Sequence, residues 1–145
     1  MKSYTRKRTK MVVAGFVFLL ALGLLPLEAA TYSDGKATVS TNNSLPSNWP
    51  ADAPTYPGGT INYSGFANQN ESGNSMAIIL DATDPLQKVV SFYKQSLPAK
   101  GWKIISESSM GEMTVLAAEK EGKTYSIAIV GNGERTQITS GIANQ

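Results

Sequence analysis

From Thr60 onward the spacing of hydrophobic positions changes repeatedly, and each change predicts an element. TINYSG, residues 60–65, alternates Ile61 and Tyr63 with polar neighbours, which is the two-residue period of a half-buried strand. FANQNESGN (66–74) has no period and predicts a polar loop. MAIILDA (76–82) is almost continuously apolar over strand length, which predicts a central strand buried on both faces or nearly so.

The period then becomes helical. In TDPLQKVVSFYKQSLPAKG, Asp84 stands where an N-cap belongs, Pro85 takes the first helical position and Gln87 follows three residues after the cap. Leu86, Val89, Val90, Tyr93 and Leu97 recur at offsets 0, 3, 4, 7 and 11, so one helix face is apolar and turns towards the sheet. Phe92 widens that stripe, while Lys88, Ser91, Lys94 and Gln95 occupy mainly the outer face. Pro98 lacks the N–H for the helical ladder, which predicts a loosened last turn near Leu97. Gly101 lets the chain reverse, and Trp102 packs back under the helix end.

Four more strands follow: WKIISES (102–108), MTVLAAEKE (113–121), TYSIAIVG (124–131) and RTQITSGI (135–142). SMGE, EGK and NGE separate them, and connections this short force antiparallel neighbours. Tyr125, Ile127, Ile129, Ile138 and Ile142 mark the covered face, and Ser126, Arg135, Gln137 and Thr139 the wet one. The predicted class is α+β: a single amphipathic helix on an antiparallel meander in the order β-β-α-β-β-β-β, spanning residues 60–143.

Residues 31–59 hold four prolines among many Ser, Thr and Asn, and read as a linker or an extended wrap, with the stretch to Ser44 the more mobile. Leu45, Trp49 and Tyr56 punctuate the second half at spacings that suit a polyproline-like segment laid on a surface. Residues 1–30 look different again. MKSYTRKRTK carries five of the thirteen basic residues, and the uncharged run Met11–Leu25 would reach only about 22 Å as a helix, short of a bilayer core. That layout predicts a signal peptide cut after Ala29, with an N-terminal membrane anchor as the alternative. No Cys follows the apolar run, which excludes a lipid-modified N-terminus of the bacterial lipoprotein kind.

Composition narrows the chemistry. The formal charge of +2 includes the leader; from Thr31 onward eight basic residues face ten acidic ones, a net of −2. A mildly acidic domain lacks the basic face that nucleic acid requires. With neither His nor Cys, the chain holds no Ser-His-Asp or Cys-His triad, no zinc site of the usual ligands and no disulfide. A domain this small without disulfides needs extra burial, which a docked Pro-rich segment or a homodimer would supply.

LPSNWPADAPTYPGG, followed by a helix reading FYKQSLPAKGW, resembles a pattern in a family of exported bacterial envelope domains with no assigned activity. The pattern is a Leu-Pro start, spaced prolines, a Tyr-Pro-Gly-Gly turn, and then Phe-Tyr, Leu and Gly-Trp around the helix end. It covers roughly 45–142 and departs at Pro98, where a plain helix former is expected. The resemblance implies an α+β module of the envelope or exterior and transfers no functional residue.

Candidate sites are few. Glu119 and Glu121 lie roughly 7 Å apart along one strand face, the spacing of an inverting glycosidase pair, but read better as a charged strand end. Asp81, Thr83 and Asp84 offer oxygens to calcium, although capping already explains Asp84. Gly131-Asn132-Gly133 reads as a hairpin, and Asn42, Asn62 and Asn70 begin Asn-x-Ser triplets. Trp49, Tyr56, Tyr63 and Phe66 are the candidate ligand or partner contacts, or the anchors of the wrap if it docks.

The expected function is therefore a non-catalytic secreted or envelope-associated interaction module. It would bind a protein partner, or itself as a homodimer, through a sheet edge or the Pro-rich arm. The alternative is a small extracytoplasmic domain for a carbohydrate or apolar ligand, seated between helix and sheet or on the aromatic rim. Neither reading calls for a cofactor or nucleic acid, and membrane contact is expected only through an uncleaved N-terminal segment.

Overall fold

The structure is a computed structural model and describes residues 31–33, 37–41, 43–69 and 73–144. Residues 1–30, expected to be a signal peptide or an N-terminal anchor, and the triplet positions Asn42 and Asn70 lie outside the described residues. One helix packs on one antiparallel sheet, so the α+β class holds. The strands are β1 (Thr31–Ser33), β2 (Ala37–Ser40), β3 (Gly59–Gln69), β4 (Gly73–Ala82), β5 (Lys103–Met110), β6 (Met113–Lys120), β7 (Lys123–Asn132) and β8 (Arg135–Asn144). Helix α1 (Leu86–Ala99) joins β4 to β5.

Strand order differs from the expected one in two respects. Two short strands precede β3, with β2 pairing Val39 opposite Gly65, inside the stretch read as linker. The sheet also runs β1-β2-β3-β4-β8-β7-β6-β5, so the last strand slots between β4 and β7 and no simple meander forms. The helix supplies the long crossover from β4 to the far edge at β5, and three hairpins bring the chain back to β4.

β3 and β4 extend through most of the stretch read as a polar loop, pairing Phe66 with Met76 and Ala67 with Ser75. Backbone pairing asks nothing of side-chain period, so a polar sequence can prolong a hairpin that a hydrophobic pattern does not mark. β4 is also one-sided: Ile78, Leu80 and Ala82 are buried, whereas Ile79 is half-buried and Asp81 exposed. The covered face continues through Ile138 and Ile142 of β8, Tyr125, Ile127 and Ile129 of β7, and Leu116 and Ala118 of β6. The buried helix positions are Val89, Val90, Tyr93 and Leu97, four of the five apolar positions read from the sequence, and Leu86 and Phe92 pack beside them.

The helix ends correct two expectations. Asp84 does not cap: the N-cap is Pro85, and the Asp84 carboxylate instead accepts hydrogen bonds from Tyr56 and Lys88. The helix also runs through Pro98, whose missing N–H falls in the last turn, where only one helical bond is forfeited. It closes with Gly101 N–H donating to the Pro98 carbonyl at 3.0 Å and Trp102 N–H to that of Leu97 at 2.9 Å. That double bond pattern is a Schellman motif, with Gly101 at φ 82° in the left-handed position and buried Trp102 packed in the same core as Leu97.

Candidate functional site: the groove between arm and helix

Residues 45–58 have no ladder partner in the sheet, so their backbone groups must be satisfied in another way. Part of the solution is local: Trp49 N–H donates to the Pro46 carbonyl and Ala53 N–H to that of Pro50. The rest comes from the core. Trp102 Nε1 donates to the Asp52 carbonyl at 2.8 Å, Tyr125 Oη to the Pro54 carbonyl at 2.7 Å, and Tyr56 N–H to the Tyr93 hydroxyl at 3.2 Å. Trp and Tyr suit this role because each buries an apolar body while its polar tip reaches a partner. The prolines remove N–H groups that would otherwise go unpaired.

Two charged contacts fasten this arm. Tyr56 Oη donates to Asp84 Oδ2 at 2.6 Å, and burial together with that carboxylate pushes the phenol up to about 12. Asp84 is held below the usual carboxylate range by Lys88 and by Tyr56. In the middle of the arm Lys120 Nζ lies 2.6 Å from Asp52 Oδ2 and 2.8 Å from the Lys100 carbonyl oxygen, and its hydrogen bond lowers the Asp52 pKa. Burial pushes Tyr93 up to about 12 and Tyr125 well above the ordinary range, so all three arm-side hydroxyls stay protonated at neutral pH.

The space between helix and sheet is full: Val89, Tyr93, Leu97, Trp102, Leu116, Tyr125 and Ile127 are all at most 1% exposed. The open space lies outside it, where the arm runs alongside α1. A groove of about 360 Å³ is walled by Leu45, Trp49 and Pro54 on the arm and by Phe92, Ser96 and Lys100 on the helix. The helix residues are spaced by four and therefore stack along one face. Leu45 is 41% exposed at the groove margin, and Trp49 stands edge-on to Tyr125 with ring centroids 6.0 Å apart. A second groove of about 320 Å³, between α1 and β5, is polar, and the Lys94–Glu107 ion pair at 3.0 Å is part of its lining.

The four aromatic candidates separate. Trp49 lines the groove, and Tyr56 is buried with edge-on contact to Phe92 at 5.2 Å. Tyr63 stands opposite Ile79 on the sheet face away from α1, its ring over Gly65, and Phe66 stands opposite Met76. Sequence reasoning missed the Phe92–Ser96–Lys100 wall. Its four-residue spacing was visible, but only the docked arm makes that face a groove.

The carboxylate candidates also separate. Glu119 lies 4.0 Å from Lys103, Glu121 sits in the β6–β7 turn, and Asp81 accepts from Asn62 while Asp84 holds Tyr56 and Lys88. Among the described residues no three acidic side chains cluster in a way that could hold a metal ion. Gly131 has a packing role: a Cβ there would meet Leu86 Cβ at 3.2 Å, so the glycine lets the helix start approach β7.

A comparison with curated proteins and with solved structures finds no match. A family model described as START domain-like matches residues 61–138, from β3 through α1 into β8, leaving the arm outside the matched span. With more than half of its length matched, the chain belongs to the START domain-like family.

Proposed function

We propose that this protein is a non-catalytic binding domain for a small apolar ligand, which it holds in the groove between the arm and α1. One observation carries the reading: of the two grooves beside the filled core, this one has an apolar lining, given by Leu45, Trp49, Pro54 and Phe92. Its volume, about 360 Å³, falls within the range of about 300–1,000 Å³ usual for small-ligand sites. Membership of a family whose members are generally binding modules supports the same reading. The leader 1–30 and the resemblance to envelope domains support an extracytoplasmic setting.

The test is a fluorescence titration with the neutral apolar probe N-phenyl-1-naphthylamine. Saturable one-to-one binding is expected, weakened at least tenfold by Leu45→Glu, an exposed change that leaves the core intact. Absence of saturable binding, or binding indifferent to Leu45→Glu, would overturn the proposal.

A protein-partner reading is favoured by one different observation: edge strand β5 exposes Ile105 (49%) and Met110 (67%). The bulge between Ile104 and Ser106 counts against it, because bulges blunt edges against further strand pairing. Light scattering of the purified domain decides the self-association form of this reading.

A further inference from the structure

Building on the apolar groove, we infer that its ligand is an amphiphile: a hydrocarbon chain ending in a carboxylate, with the acid group at the Ser96–Lys100 end. Along the helix wall, Phe92, Ser96 and Lys100 change from apolar to hydroxyl to cation. Ser96 Oγ is closed off from solvent and has no hydrogen-bond partner. Its desolvation is already part of the folded state, so a ligand acceptor reaching it gains a hydrogen bond without giving up one to water.

Charge selects an anion over a neutral acceptor. Lys100 lines the groove at the C-terminal end of α1. Lys120 is already paired with Asp52 and also donates to the Lys100 carbonyl, so Lys100 is the cation that the groove wall itself presents. A helix C-terminus by itself repels anions, with an effective charge of about −0.5. Here the Lys120 ammonium caps one of the terminal carbonyls, which offsets part of that repulsion.

The experiment displaces bound N-phenyl-1-naphthylamine with dodecanoate, dodecanol and dodecyltrimethylammonium, below their micelle concentrations and at about pH 8, where a carboxylate is ionised. Dodecanoate is expected to displace at least tenfold more tightly than dodecanol, and the cation more weakly than either. Lys100→Gln and Ser96→Ala should each reduce the preference for the acid over the alcohol. Equal displacement by acid and alcohol, or a preference untouched by both substitutions, overturns this inference and leaves the apolar groove standing. Failure of the probe and all three amphiphiles to bind overturns the groove and the inference together.

Discussion

Tyr125 donates its hydroxyl to the carbonyl oxygen of Pro54 at 2.7 Å, across 71 positions of the chain, and so holds the proline-rich arm against β7. The arm is therefore part of the fold's covering layer beside α1. Tyr125→Phe keeps the ring and strands the Pro54 carbonyl, which at a buried site costs about 1–3 kcal/mol. Urea unfolding should show that loss, and limited proteolysis should show faster cutting between Leu45 and Ala51.

High pH should release the same contacts. Tyr56 and Tyr93 are pushed up to about 12 and Tyr125 well above its ordinary value, in each case chiefly by burial. The unfolded chain loses these protons near the ordinary phenol value of 10.0, while the folded chain keeps them on Tyr56 and Tyr93 to about 12. Stability is thus full below about 10 and falls as pH rises from there towards 12. Tyrosinate absorbance should rise together with loss of near-ultraviolet circular dichroism. Buried tyrosines titrating near 10 in an intact fold would contradict this.

Low pH acts through the arm's acidic anchors. Asp52 is lowered by Lys120, and Asp84 by Lys88 and Tyr56, so both favour the fold above 3.8 and lose that contribution as pH falls through their lower folded values. Lys120→Met should flatten this acid limb. Because the Asp52 side chain is 37% exposed, solvent screening limits the cost at neutral pH to about 1 kcal/mol.

Two backbone positions give opposite signs. Gly101→Ala forces a side chain into φ 82°, where neighbouring atoms leave room at 3.5 Å, so the loss of about 1–2 kcal/mol comes from the backbone alone. Glu121 at φ 48° and Gly122 at φ 72° form a hairpin turn of the type that favours Asn-Gly. Glu121→Asn should stabilise the protein by about 0.5 kcal/mol. Thermal unfolding measures both.

The helix was legible because burial of Val89, Val90, Tyr93 and Leu97 imposes a period that nothing else in the chain imitates. The turn after it was legible too, since Gly101 before Trp102 leaves few ways for the chain to reverse. β1, β2 and the outer half of β3 were hidden because their contribution is backbone pairing with no hydrophobic period to mark it, as in Ser40 opposite Ser64. Asp84 misled because a cap is a local explanation, and its partner Tyr56 is 28 positions away. The groove was hidden for the same reason: Phe92, Ser96 and Lys100 form one of its walls only because Trp102, Tyr125 and Tyr93 hold the arm in place.

The most direct measurement follows the two indole N–H resonances by nitrogen–proton NMR during titration with an apolar ligand. Trp49 lines the groove, whereas Trp102 is sealed beneath the arm with its N–H on the Asp52 carbonyl. The Trp49 signal should move saturably while that of Trp102 stays in place. A ligand that moves Trp102 first, or leaves Trp49 unmoved, would contradict the account.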